Sequence, residues 1–218
     1  GIKIRLETPE DYKITEDITR EAFWNRFQPG ADEHYLLHQI RKSNDYVHEL
    51  GFVAEVNGIV VGNIAYTKSS ILDISGNLNQ VLTFGPISVH PNYQQRGIGS
   101  TLIRHSLKVA SSLGYSGVVI FGDPRYYGRL GFRCAERYDI TTRSGQFSLC
   151  MLAYPLQPGA FDHIAGAFQE SIAFENFMEG FEEFEKQFEE KEKFVTESQK
   201  EFDILRSLIY RKEIDDHE

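Results

Sequence analysis

Two stretches of this 218-residue chain hold residue types at spacings that could do chemistry. The first is VHPNYQQRGIGSTLI, from Val89 to Ile103, where glutamines, an arginine and two glycines separate an apolar run from an amphipathic one. Gly97 and Gly99 carry no side chains, so their N–H groups can approach a ligand closely. A helix opening there would add unpaired N–H donors and a partial positive charge, which suit an anion such as phosphate. The same residues can equally make a plain tight turn. Two known phosphate loops are excluded: no Gly-Lys-Ser/Thr tripeptide occurs, and Leu102 stands where a dinucleotide fingerprint needs its third glycine. The second stretch is GDPRYYGRLGF, from Gly122 to Phe132, a turn followed by a short helix with Tyr126 and Tyr127 side by side.

The elements that must position these residues follow from periodicity. IKIRLE predicts a short strand, and DYKITEDITREAFW and DEHYLLHQIRKS predict helices. GFVAEVNGIVVGNIAYTK reads as two strands joined at Asn57-Gly58, because both residues tolerate the positive φ of a type I′ turn. VLTFGPISVH predicts a further strand, interrupted by Pro86. Proline cannot donate to a sheet ladder, yet this strand feeds a crossover helix and should be central. The Gly-Pro break therefore predicts a place where the sheet opens and frees backbone groups for a ligand. GSTLIRHSLKVASSLG predicts an amphipathic helix with Leu102, Ile103, Leu107, Ala110 and Leu113 on one face and Gly114 as its C′ cap. GVVIF, apolar throughout, predicts a strand covered on both faces. Strand, helix, strand from Val81 to Phe121 implies a parallel pair, and the hairpin implies antiparallel pairing elsewhere, so the sheet is mixed.

Composition limits the partners. No apolar run approaches the ~18 residues that span a bilayer, and the charged start contains no signal-peptide core. Cys134 and Cys150 have neither disulfide-framework nor zinc spacing, so no metal is expected and a cytoplasmic protein is. Residues 1–154 carry 16 Lys+Arg against 15 Asp+Glu, and residues 155–218 carry 7 against 17. The acidity belongs to the tail, and nucleic acid, which needs a basic footprint, is not an expected partner. The break near Tyr154 marks the expected domain boundary.

ISVHPNYQQRGIGSTLI followed by YYGRLGF resembles the GNAT superfamily of acyl-CoA-dependent N-acyltransferases, over roughly residues 2–154. Gln94, Gly97 and Gly99 match its Arg/Gln-x-x-Gly-x-Gly/Ala pattern; Tyr126, Tyr127, Gly131 and Phe132 match its later aromatic segment. The form GDPRYYGRLGF most resembles a bacterial group of predicted small-molecule N-acetyltransferases. The resemblance implies an α/β fold whose mixed sheet splays between two parallel strands, with helices on both faces. It implies acetyl-CoA as acyl donor, its pyrophosphate held by Gln94, Gln95, Arg96, Gly97, Ile98, Gly99, Ser100 and Thr101. It implies that Ile87, Ser88 and Val89 pair their backbone with the pantetheine arm, and that Tyr127 is the general acid for the departing thiolate, with Tyr126 its packing partner. The acetyl group would pass directly to a primary amine of a small molecule or peptide.

The general base is where the chain departs from clearer members of the family. Some use a Glu on the strand before the loop, and VLTFGPISVH has no carboxylate. His90 and Asp123 are the nearest candidates, with Glu21 more distant, although His90 can simply shape the turn before Pro91 and Asp123 can form an Asx turn. A water relay is the alternative to any single base. A non-catalytic acyl-CoA-binding sensor or scaffold is the alternative function. In the tail, Phe177, Phe181, Phe184, Phe188, Val195, Phe202, Leu205 and Ile209 recur at three–four spacing, broken at Lys191 and Ser198. They predict one long amphipathic helix from Asn176 onward with an acidic outer face, in a mainly helical extension over 155–218. That helix is expected to lie on its own domain, to cover the substrate site, or to join two copies in a homodimer. An acidic face would be repelled by anionic lipid, so no membrane partner is expected.

Overall fold

The computed structural model describes residues 1–211. Its elements run β1 (Ile2–Leu6), α1 (Tyr12–Phe23), α2 (Glu33–Ile40), β2 (Phe52–Val56), β3 (Ile59–Asp73), β4 (Leu78–Val89), α3 (Ile98–Ser112), β5 (Gly117–Phe121), α4 (Pro124–Tyr127), β6 (Arg133–Cys134), β7 (Ile140–Thr141), β8 (Phe147–Ser148), β9 (Met151–Pro155), β10 (Gly166–Gln169), α5 (Phe181–Glu185), α6 (Glu197–Arg206) and β11 (Ile209–Tyr210). The main sheet has the order β1-β2-β3-β4-β5-β9-β6, with β10 pairing β3 and β7. Among the described residues only β4–β5 and β10–β7 are parallel, so the sheet is mixed as expected. No helix among the described residues is long and apolar enough to cross a membrane.

The first hairpin turns at Asn57 (φ 51°) and Gly58 (φ 78°), the left-handed pair that a type I′ turn requires. On β3 alternate residues serve opposite faces. Ile64 and Tyr66 join Leu102, Ile103 and Leu107 of α3 in the larger core. Asn63 meets Thr19 of α1, and Ala65 packs with Leu37 and Ile40 of α2. Helices therefore cover both faces. Gly114 takes the left-handed conformation (φ 87°) just past α3. Leu113, expected on the buried face, is instead 52% exposed, because the helix has ended at Ser112 and the cap turns it outward. Phe121 at the end of β5 is also exposed, where covering on both faces was expected. Leu102 is fully buried between α3 and β3. Leu102→Ala should cost about 2–5 kcal/mol, read as a lower urea midpoint at unchanged slope.

Beyond Tyr154 the chain still belongs to the sheet: β10 pairs residue by residue with β3 from Gly166↔Asp73 to Gln169↔Ser70, and Phe161 and Phe168 are core residues. The expectation of one long helix from Asn176, in a mainly helical extension, is corrected. Helix occupies only 181–185 and 197–206, an irregular run joins them, and the chain then makes the short strand β11 against β8. Residues 212–218 of the expected helix lie outside the described ones. The physical reason is competition for carbonyls. Between the helices the Glu189 carbonyl accepts from Arg20, and the Glu192 carbonyl accepts from Trp24 Nε1 and Asn25 Nδ2, where a helix would have used its own N–H groups. Tertiary contacts override propensity here.

The phenylalanine spacing nonetheless has a use within the chain. Phe181, Phe184 and Phe188 meet His34, and Phe184 also meets Tyr35 and His38 at ring separations of 4.8 and 4.6 Å. At their centre Glu185 receives Arg20 Nε at 2.7 Å and the His34 ring. Arg20 is 5% exposed and His34 fully buried, so removing Glu185 would strand a charge. Glu185→Ala should destabilise the fold by about 3–5 kcal/mol, measured by denaturant titration.

Candidate functional site

The site begins where β4 leaves β5. The two parallel strands share one register pair, Leu82↔Val118, although β4 runs on to Val89. The divergence coincides with Gly85-Pro86, joined by a cis peptide bond. Against β3 the register passes from Tyr66↔Phe84 to Ile64↔Ile87, so two residues of β4 stand opposite Ala65 in a bulge. After the bulge Ile87, Ser88 and Val89 pair with Ile64, Asn63 and Gly62 on one side, and among the described residues no strand lies on the other. The Ser88 hydroxyl is committed inward, donating to Asn63 Oδ1 at 2.7 Å and bonding Thr19 Oγ1 at 3.0 Å. What β4 offers beside the gap is its backbone.

The loop from His90 to Gly97 is built by its own polar groups. His90 Nδ1 accepts from the Asn92 N–H at 3.1 Å, and Gln94 Nε2 donates to the Val89 carbonyl at 3.0 Å. Gln95 (φ 63°) and Gly97 (φ 79°) are left-handed, which swings the chain into the exposed N-cap of α3. No side chain caps that helix and no acidic residue occupies its first turn. The Ser100 and Thr101 hydroxyls turn back to the Gly97 carbonyl at 3.1 and 2.7 Å, leaving the first-turn N–H groups pointing outward. Arg96 sits over the Tyr93 ring at 5.2 Å and adds a cation. The arrangement can hold a phosphate.

Tyr127 projects from α4 toward the gap. Its ring contacts Phe84 of β4 (5.9 Å), Phe132 (5.7 Å) and Tyr126 (4.9 Å). A Cβ on Gly122 would come within 2.4 Å of that ring, so a glycine is needed there for the close approach. Burial pushes the Tyr127 phenol well above its usual range, and it is protonated at neutral pH. Tyr126 lies near the start of α3, its hydroxyl 3.3 Å from where a Cβ on Gly99 would stand.

The residues weighed as bases have other work. Asp123 caps α4, accepting from the Arg125 N–H at 2.9 Å, and the Arg125 guanidinium holds its carboxyl below the usual range. His90 caps the turn before the loop. Glu21 pairs with Lys191 at 2.8 Å. Sequence reasoning missed a cavity that the tail helps to close. The α1–α2 connection (Trp24, Asn25, Arg26), the loop residue Gln94 and the tail residues Lys191, Glu192, Phe194, Thr196 and Ser198 enclose an open cavity of about 600 Å³. Its legible sign in the sequence was Trp24, the large aromatic that closes the predicted helix DYKITEDITREAFW. Among the described residues no group of three or more His, Cys, Asp or Glu could hold a metal ion.

An acetyltransferase (GNAT) domain family matches residues 48–134, which contain the splayed strands, the loop and α4. The uncharacterized N-acetyltransferase YhbS of Escherichia coli (strain K12) is 28% identical over 175 residues, 80% of this chain and 99% of its own length. The crystal structure of YhbS in complex with CoA superposes with a TM-score of 0.70 at 26% identity, covering 81% of this chain and 93% of that one. A GNAT family acetyltransferase from Brucella melitensis, in complex with acetyl-CoA, gives 0.64 at 28% identity over 80% of this chain and 99% of its own.

Proposed function

We infer that this chain, which belongs to the GNAT superfamily, is an N-acetyltransferase that moves the acetyl group of acetyl-CoA directly onto a primary amine of a small molecule or peptide. The observation that carries the reading is the splay of β4 from β5 between an uncapped helix N-terminus and a protonated tyrosine. In this reading residues 94–101 receive the pyrophosphate, and the backbone of 87–89 takes the pantetheine arm as an added strand. The thioester then lies in the gap. A backbone N–H there bonds its carbonyl oxygen as negative charge develops. Tyr127 gives its proton to the departing CoA thiolate, the weaker base of the two groups exchanged. The transfer machinery lies within residues 1–154, and the extension walls the acceptor side. The thiols of Cys134 and Cys150 are free, in keeping with work in the cytoplasm.

The test is release of free CoA thiol from acetyl-CoA against a panel of primary amines. Turnover with at least one amine is the expected outcome. A chain that is stabilised by CoA yet releases thiol with none of them would be the acyl-CoA-binding module instead, the reading favoured by the absence of a carboxylate on β4.

A further inference from the structure

Arg26 lines the cavity of about 600 Å³ together with Gln94, so the α1–α2 connection and the 90–97 loop face one space. Gln94 is fixed in that wall by donating to the Val89 carbonyl at 3.0 Å, at the end of the β4 edge that borders the gap. Lys191, also in the cavity wall, is committed: it pairs with Glu21 at 2.8 Å and lies over the Trp24 ring at 5.5 Å. Arg26 is exposed, and among the described residues no ion pair or hydrogen bond engages its guanidinium. It stands over the Phe27 and Phe23 rings at 5.2 and 5.9 Å, contacts that leave its N–H donors free. The tail carries 17 Asp+Glu over 155–218 and contributes Glu192 to this cavity, yet none of its described carboxylates pairs with Arg26.

The place of Arg26 is set by its backbone. Asn25, 5% exposed and left-handed (φ 58°), turns the chain after α1. The Asn25 carbonyl accepts from Thr196 Oγ1 at 2.8 Å and Gln199 Nε2 at 3.0 Å, and the Arg26 carbonyl accepts from Ser198 Oγ at 2.6 Å. The start of α6 thus holds both carbonyls, and α6 is tied in turn to α4 through Glu201 and Arg125. Tyr126 of α4 brings its hydroxyl to the start of α3, beside Gly99. Contacts therefore lead from Arg26 to the α3 N-terminus by two routes, the shared cavity and the α6–α4 tie. The electrostatics agree: burial raises the Tyr126 and Tyr127 phenols, and the Arg26 charge draws both back.

A pyrophosphate inside CoA carries a negative charge on each phosphate. The α3 N-terminus is equivalent to about half a positive charge, and Arg96 over Tyr93 supplies a whole one. The charge of the pyrophosphate exceeds their sum. We propose that Arg26 closes over the CoA pyrophosphate from the α1–α2 side, so that the ligand is clamped between two arginines and the α3 N-terminus. The inference rests on the reading that residues 94–101 receive that pyrophosphate. It adds a residue that lies outside both the loop motif and the 48–134 family match. A planar guanidinium bonds two phosphate oxygens at once, a geometry that an ammonium does not reproduce. The clamp also gives the tail a task on the donor side: by holding the Asn25 and Arg26 carbonyls it sets the guanidinium across the cavity from the loop.

The test titrates the full chain with CoA and with dephospho-CoA, by calorimetry at low and at high salt. Arg26→Ala breaks no hydrogen bond among the described residues, so the melting temperature without ligand should hold. Its dissociation constants for both ligands should rise by the same factor, about 10–100-fold at low salt, and depend less on salt than those of the wild type. Arg26→Lys should recover only part of the loss. Ser198→Ala, which frees the Arg26 carbonyl, should weaken both ligands less than Arg26→Ala does. A loss for CoA without one for dephospho-CoA would assign Arg26 to the 3′-phosphate and overturn the clamp. Unchanged affinity for both ligands would overturn it as well, and so would a loss with an unaltered salt dependence, which would reduce Arg26 to packing. Acetyl transfer is read separately, by thiol release. A chain that shows the expected titrations yet releases thiol with no amine keeps the clamp and loses the acetyl-transfer reading. A wild-type chain that binds neither ligand loses both.

Discussion

Gly97→Glu should abolish the thermal stabilisation by CoA. In the wild-type chain a ligand at 100 times its dissociation constant adds about 2.7 kcal/mol. For a domain of this size each kcal/mol raises the melting temperature by about 2–4 °C, so the shift should be about 5–10 °C. Gly97 is the exposed N-cap of α3 at φ 79° and ψ 9°, and a Cβ there would meet nothing nearer than the Ser100 hydroxyl at 3.8 Å. Space is therefore not the obstacle. A side chain in left-handed backbone costs about 1–2 kcal/mol, and a carboxylate at the helix N-terminus opposes the incoming phosphates. Gly97→Ala, with the strain and without the charge, should lose only part of the shift. An undiminished CoA response in Gly97→Glu would remove the phosphate from this loop.

The second large effect is on turnover. Tyr127→Phe keeps every ring contact with Phe84, Tyr126 and Phe132 and removes only the hydroxyl, which no hydrogen bond among the described residues engages. Stability and CoA binding should therefore hold while kcat drops by about 10²–10⁴, the range for a lost acid–base group. The pH dependence follows from the direction of the shift. Burial raises the phenol above its ordinary value near 10, so the protonated, competent form persists across the neutral and mildly alkaline range. Any loss of rate due to Tyr127 should begin only in strongly alkaline solution. Tyr126→Phe, beside the start of α3, should change turnover little. Equal rates in both variants and the wild type would reduce Tyr127 to packing.

What was legible in the sequence was local. Asn57-Gly58, the Gly-Pro break in β4 and Gly97 each act through backbone demands met within a few residues: a left-handed pair in the hairpin, a bulge against β3 and a left-handed residue before α3. The packing of the tail on the α1–α2 connection was illegible because its contacts join residues far apart. Gln199 satisfies a carbonyl 174 positions away at Asn25, and Glu185 meets Arg20 across 165. No periodicity encodes such pairs. In the tail the three–four spacing of aromatics marked the side that packs, on His34 and Tyr35, but not the backbone conformation that carries it.

The strap formed by α5, α6 and the run between them has a consequence for the order in which the molecule forms. Closing a loop costs entropy that grows with its length, so a contact across 165 residues is costly to make first. Once β10 has paired with β3, and Ser171 has donated to Asp45 at 2.6 Å, the chain is anchored at Ser171. Phe181 is then ten residues from an anchor, and Glu185 fourteen. The same ion pair that is remote in the unfolded chain becomes nearly local on the finished sheet. The sheet and the 90–97 loop should therefore assemble before the strap, and slow amide exchange should appear in β3 and β4 ahead of the N–H groups of α6 during refolding.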